Sequence, residues 1–309
     1  MENNWVSYKN GNYIVALDTV HGTKIRYNDL DFFKADRPEN MDICITRYCE
    51  YGCPYCHENA TINGKHGDIM NSKFIDTLPE WTEAAVGGGR VTSHPDLVPF
   101  LRKLKERHII ANITVQQTEF MSHLSFLREL VNQKLIYGLG ISLINPYEEG
   151  FIEAVKTFPN AVIHVINGVV TLAQLSALGC KDLKILILGY KEVRRGVAYK
   201  ADVDHLVGLR KNRLYASLPF IAEHNWFKTI SFDNLALEQL EPKRFLSDEF
   251  YATHNLGDDG LMGEQTSASY YVDLVENVFA RNSCDVNHRY PLENHTATEC
   301  YQLLRDNKI

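Results

Sequence analysis

Several things are scarce or missing in this chain of 309 residues, and each absence narrows the reading. No apolar run approaches the ~18–20 residues that a bilayer span requires, so no transmembrane helix is expected. The opening residues Met1-Glu2-Asn3-Asn4-Trp5 lack the basic start and apolar stretch of a secretory leader, which points to the cytoplasm. There is no basic surplus. Lys and Arg number 32 against 39 Asp and Glu, for a net charge of −7. Long-range attraction to a polyanion needs a basic face, so general nucleic-acid binding is not expected. Cysteine is sparse and odd in number, seven in all, which disfavours a disulfide framework. No second C-x2-C pair and no H-x3-H pair appears, as a two-cluster structural zinc site would need. There is no internal repeat and no low-complexity tract.

What is present is a chain that is 45% hydrophobic, enough for one barrel-like domain with extensions, or at most two domains. Residues 12–28 alternate around His21-Gly22 and predict a β-hairpin ahead of the main domain. Arg37-Pro38-Glu39 marks a boundary. Beyond it, strands and helices take turns. Strands are expected at 41–46, 84–86, 109–115, 135–143, 162–166, 183–188 and 229–232. Helices are expected at 74–81, 96–104, 120–131, 151–158, 172–178 and 203–212. Such alternation implies βαβ crossovers and a parallel sheet. Six or seven units make a partial or full (β/α) barrel, with catalytic groups at the C-terminal strand ends. The divisions expected are an N-terminal hairpin extension over 1–38, a barrel over 39–235, and a C-terminal extension over 236–309 that caps or closes it.

Three of the seven cysteines crowd one loop: Cys49-Glu-Tyr-Gly-Cys53-Pro-Tyr-Cys56, a C-x3-C-x2-C spacing. The short apolar strand Met41-Asp42-Ile43-Cys44-Ile45-Thr46 feeds it. Iron–sulfur clusters are held by cysteine thiolates. Three thiolates can hold three irons of a four-iron cubane and leave the fourth with an open position. The alternative is a zinc ion on Cys49, Cys53, Cys56 and His57. Of the other cysteines, Cys44 sits inside an apolar strand. Cys284 and Cys300 stand apart from the trio.

With its aromatic Tyr55 before the last cysteine, this motif resembles that of the radical S-adenosylmethionine (radical SAM) superfamily. The resemblance implies an α/β partial (β/α)6 TIM-like barrel. It implies a 4Fe-4S cluster on Cys49, Cys53 and Cys56, with SAM chelated to the open iron. It also implies reductive cleavage of SAM to a 5′-deoxyadenosyl radical, fed by an external flavodoxin- or ferredoxin-type donor. By the same resemblance Tyr55 meets the adenine and Gly87-Gly88-Gly89 approaches the methionyl amine. Ser142, Thr114 and Gln116 are candidate contacts to the carboxylate or ribose. Arg90 stands where the family often carries a glutamate, while Thr92-Ser93-His94-Pro95-Asp96-Leu97 keeps the family's look.

Asn167, just before Gly168, is expected to face the pocket, and His164, among Ile163, Val165 and Ile166, to be a core histidine. Lys191 and Asp233, at the ends of later strands, are candidate catalytic groups. Asp233 is equally placed to N-cap the helix that follows. Residues 181–213 hold nine Lys/Arg against four Asp/Glu, which tilts the expected substrate toward a phosphate-bearing small molecule or nucleotide. A peptide is the alternative, since a hairpin can offer an edge strand. A non-catalytic iron–sulfur protein on the same scaffold is a third reading.

Overall fold

The computed structural model describes residues 4–30, 32–254 and 268–309. The opening three residues, read above for a leader, lie outside it, as do residues 255–267 of the expected C-terminal extension. Three short strands come first: β1 (Trp5–Asn10), β2 (Tyr13–Asp18) and β3 (Lys24–Tyr27). They form an antiparallel sheet in the order β1-β2-β3, so the expected hairpin is present and carries one further strand. Its inner face is locked by Glu39, which is fully buried. Both carboxylate oxygens of Glu39 accept from Arg26 Nε at 3.0 Å, and Lys24 Nζ lies 3.3 Å away.

The main sheet has ten strands. Chain order runs β4 (Asn40–Thr46), β5 (Glu83–Gly88), α1 (Leu97–Glu106), β6 (Ile110–Gln116), α2 (Gln117–Ser122), α3 (Leu124–Asn132) and β7 (Gly138–Ser142). It continues through α4 (Phe151–Lys156), β8 (Ala161–Ile166), α5 (Leu172–Leu178), β9 (Lys184–Leu188), α6 (Arg195–Glu223), β10 (Thr229–Phe232) and α7 (Asn234–Leu240). The last elements are α8 (Asp248–His254), β11 (Ser269–Asp273), β12 (Val278–Ala280), β13 (Tyr290–Pro291) and α9 (Ala297–Arg305). Strands β4 to β10 lie side by side in sequence order, and each adjacent pair is parallel. On the other flank of β4, β11 pairs parallel to it, and β12 and β13 follow antiparallel. Residues 236–309 therefore build part of the main sheet.

Burial alternates along the central strands as a one-sided apolar face requires. In β6, Ile113 and Val115 are buried among the helices, while Asn112, Thr114 and Gln116 are half-buried on the opposite face. In β8, Ile163 and Val165 are buried, while Val162, His164 and Ile166 share the other face. His164 is thus not a core residue of the helix layer. It stands on the open face, beside Thr114 and Gly140. A Cβ on Gly140 would meet its ring at 2.4 Å. Burial still holds the imidazole pKa down to about 4.

Three expected helices differ, the one expected at 120–131 being two, α2 and α3, broken at His123 (φ −126°). Residues 74–81 give only a 3-10 turn, Ile75–Thr77, because Pro79 forces Leu78 into extended backbone (ψ 128°). The helix expected at 203–212 is the middle of the 29-residue α6, which bends at Val203.

Candidate cluster and substrate site

The cysteine loop leaves β4 at its C-terminal end and returns along its own start. Arg47 N donates to Lys65 O (2.8 Å), Thr61 N to Arg47 O (3.0 Å) and Cys49 N to Thr61 O (2.9 Å). Gly64 makes this closure feasible, since a Cβ there would fall 1.8 Å from Arg47 O. Inside the loop, Cys56 N donates to Cys53 O (3.2 Å) and Asn59 N to Cys56 O (3.3 Å). Cys49, Cys53 and Cys56 are half-buried free thiols. Burial pushes the Cys49 thiol up, and the nearby Cys53 and Cys56 sulfurs add to that. Gln116, at the end of β6, brings Nε2 to 3.8 Å from Cys53 Sγ, and its Oε1 is buried without a partner.

Among the described residues, no three His, Cys, Asp or Glu side chains converge on one ion position. A tetrahedral zinc holds its thiolates within about 4 Å of one another, given Zn–S near 2.3 Å. A multi-iron group takes one thiolate per iron. All three thiols belong to one loop, and Gln116 of the sheet's polar face reaches Cys53.

The glycine turn after β5 does two separate jobs. Gly88 (φ +116°) and Gly89 serve packing. A Cβ on Gly88 would meet Thr46 O at 2.3 Å, and one on Gly89 would meet Tyr48 O at 2.1 Å. Gly89 N and Arg90 N donate to Thr46 O and Tyr48 O, both at 2.7 Å, and so extend the β4–β5 pairing into the cysteine loop. Gly87 alone opens onto free space, with nothing within 4 Å of its would-be Cβ. Arg90 turns away from that space. Its guanidinium bonds Glu50, lies 3.7 Å from the buried Glu119 and reaches His123 Nε2 at 3.3 Å.

A second charged group lies behind the last cysteine. Arg47 bonds both Glu58 and Asp273, and Tyr271 Oη donates to Glu58 Oε2 (3.1 Å). Glu58 and Asp273 are buried. Burial alone would raise the Glu58 carboxyl, but His57, Arg47 and Arg194 overrule it and hold the group well below the usual carboxylate range.

A cavity of about 460 Å³ lies beside this end of the sheet. Its lining brings together Asp42 of β4, Lys191 after β9, Asp233 after β10, Ser269 of β11, and Ser283 and Cys284 after β12. Strands from both flanks of the sheet line one space. Lys191 Nζ donates to Ser283 Oγ at 2.9 Å. Asp233 caps α7, its Oδ1 accepting from Gly189 N and Ala236 N, both at 2.8 Å. Asn167 is 1% exposed and does not line the cavity. Its Nδ2 donates to Gln239 Oε1 (3.0 Å) and its Oδ1 is buried without a partner. Tyr55 packs edge-on to Tyr199 at 5.5 Å, and burial raises its pKa to about 12. Thr114, Gln116 and Ser142 are half-buried on the same sheet face. Cys300 is buried in the core, away from solvent. Sequence reasoning missed Asp42, Ser269 and Ser283. A signal existed for Asp42, a lone acid inside an apolar strand.

No family model matches the chain, and no curated protein matches its sequence. Its fold does have solved counterparts. Streptococcus suis SuiB bound to S-adenosylmethionine superposes with a TM-score of 0.60 at 12% identity, covering 100% of this chain and 89% of that one. SuiB bound to its precursor peptide SuiA gives 0.59 at 12% identity, covering 98% and 88%. The chain therefore shares the fold of SuiB. At this identity the likeness carries the fold alone. Among the described residues, no helix is long and apolar enough to cross a membrane.

Five cations of the Lys/Arg-rich stretch bond five separate partners. Lys184 Nζ bonds Pro159 O, Lys191 bonds Ser283, Arg194 bonds the cysteine loop, Lys200 pairs with Glu192 and Arg210 reaches Tyr199. These cations are spent one at a time on separate partners.

Proposed function

We propose that this chain is a radical SAM enzyme that modifies a peptide, working in a sheet curled into a partial barrel. The observation that carries the reading is the position of the three thiols. They sit at the C-terminal end of the first parallel strand, in a chain that superposes along its whole length on SuiB. Cys49, Cys53 and Cys56 would hold a 4Fe-4S cluster, and SAM would lie over Gly87 with Tyr55, Thr114, Gln116 and Ser142 nearby. When bound, that pair supplies one-electron cleavage of the sulfonium and a carbon-centred radical that takes a hydrogen atom. The electron would come from an external flavodoxin- or ferredoxin-type donor.

The chain's own residues then do three things. The loop carries the sulfurs, and its neighbours hold them in place. The open space at Gly87 admits ligand backbone without a Cβ in the way. The cavity walled by Asp42, Lys191, Asp233 and Cys284 takes a side chain of the substrate. A peptide is favoured over the small-molecule or nucleotide reading on two grounds. SuiB is solved with a precursor peptide, and most of the basic residues that suggested phosphate bond other partners. Strand β3 pairs with β2 alone among the described strands, which leaves one edge for strand addition. Arg90, which stands where the family often carries a glutamate, pairs with Glu50 and Glu119, and Gly87 faces open space.

The test is anaerobic reconstitution with iron and sulfide, then SAM and a strong reductant. Wild type should form 5′-deoxyadenosine, and each of Cys49→Ala, Cys53→Ala and Cys56→Ala should form none. A colourless protein that takes up zinc and no iron would end the proposal. Peptides encoded beside the gene should then change mass in the complete reaction. Turnover with a small molecule and never with a peptide would remove the peptide part alone.

A further inference from the structure

Residues 193–196 form a tight turn closed by Gly196 N donating to Val193 O at 2.9 Å. Its first central residue is Arg194, with φ 49° and ψ −124°. That is the type II′ geometry, whose first central position is ordinarily glycine because a Cβ is crowded there. An arginine in this place is strained, and strain of this kind persists only where surrounding contacts hold it. The contacts are visible. Arg194 Nη1 lies 3.2 Å from His57 O, 3.1 Å from Glu58 O and 3.2 Å from Glu58 Oε2. All three belong to the two residues directly after Cys56. The next residue, Arg195, donates to Ala60 O at 2.6 Å. Tyr190 Oη donates to Gly196 O at 2.7 Å and fixes the turn from behind. A Cβ on Gly196 would fall 2.2 Å from Lys191 O, so the turn packs closely on the segment that leads into it.

We propose that Arg194 is a positioning residue for the cysteine loop. It straps the segment after Cys56 to the far flank of the sheet, from a strained backbone conformation that the turn's own bonds also hold. The proposal rests on reading the loop as the seat of the cluster. The strap itself is a property of the metal-free chain and can be tested there.

The experiment uses the full chain with Arg194→Gly, Arg194→Ala and Arg194→Lys. Glycine relieves the turn and removes the strap. Alanine removes the strap and keeps the strain. Lysine keeps a cation and the strain. In metal-free protein, hydrogen exchange at the Cys56 and Asn59 amides should speed up roughly tenfold in Arg194→Gly and less in Arg194→Lys, as loss of charge-assisted bonds implies. Arg194→Gly should melt at or above wild type, and Arg194→Ala below both. After reconstitution, Arg194→Gly should lose its visible absorbance to an iron chelator faster than wild type. Unchanged exchange at Cys56 and Asn59 overturns the strap. Equal melting of the glycine and alanine variants overturns the strained turn. If wild type takes up no iron, the proposed function fails, while the exchange result still decides the role of Arg194.

Discussion

Substituting Gly89 and Gly87 separately divides packing from ligand space within one turn. A Cβ at position 89 would lie 2.1 Å from Tyr48 O, against 3.4 Å for ordinary contact, so the backbones must part by roughly 1.3 Å. That gap cannot be closed by a side-chain rotation, because the obstacle is a carbonyl. The hydrogen bonds from Gly89 N to Thr46 O and from Arg90 N to Tyr48 O, now 2.7 Å each, stretch past bonding distance. Each is worth about 0.5–1.5 kcal/mol net, and stranding a buried partner costs about 1–3 kcal/mol. Gly89→Ala should therefore cost about 2–4 kcal/mol. In a chain of this size about 2 °C of melting temperature goes with each kcal/mol, so a fall of about 4–8 °C is expected in the metal-free protein. Gly87→Ala meets nothing. Its smaller unfolded-state entropy should leave stability equal or higher by about 0.4–1 kcal/mol, while SAM affinity falls. Thermal melts of the two metal-free variants and a SAM titration of the reconstituted ones make the measurement. Equal melts would show that the β5 turn is not seated on the cysteine loop as described.

Removing Glu39 should be among the costliest single changes. Glu39→Ala leaves Arg26, Lys24 and Tyr13 facing a buried gap, and about 3–5 kcal/mol should be lost in denaturant unfolding. The pH profile should report His164. Its folded pKa of about 4 lies below the unfolded 6.5, so the unfolded chain binds the extra proton between those values. The stability from the neutral ring is complete above about pH 6.5 and is lost as pH falls toward 4. His164→Asn should flatten that part of the melting profile relative to wild type, and parallel profiles would contradict the assignment. At Asp233, the cap accepts two amides. Asp233→Asn should melt close to wild type, and Asp233→Ala should lose about 1–2 kcal/mol. A folded Asp233→Asn without turnover would give the carboxylate a chemical role beyond the cap.

Much of the fold was legible because the central strands obey simple rules. Strand β10 and helix α5 fall where alternation and helical spacing put them, and β6, β8 and β9 are displaced by only a residue or so. The C-terminal strands were not legible, and the reason is physical. β11 lies inside the sheet between β4 and β12. Tyr270 and Tyr271 are consequently both buried, and the period-two signal disappears. His164 misled because its neighbours are apolar on both sides. Strand parity, which groups it with Val162 and Ile166, outweighs composition there. The cysteine trio was legible because its members are adjacent in sequence. The groups that hold the trio in place were not, because Arg47 and Asp273 are 226 residues apart and Arg194 and Glu58 are 136 apart. No local pattern encodes such pairs.

That separation bears on how the loop works. A segment with Gly52 at φ +61° and Asn59 at φ 54° has little helical or strand structure of its own. Its few internal bonds could not fix three thiols against the entropy of their backbone, about 1–2 kcal/mol per residue. The order comes from outside, from three neighbours at the same end of the parallel sheet. The β5 turn adds two backbone bonds and Arg90, β11 adds Asp273, and the turn after β9 adds Arg194. These neighbours hold different parts of the loop, before Cys49, between Cys49 and Cys53, and after Cys56. Loosening one should disturb the nearest thiol most and the others less. On the proposed function, the spacing of the cysteines would select the group that binds, while the parallel sheet holds the loop that carries them.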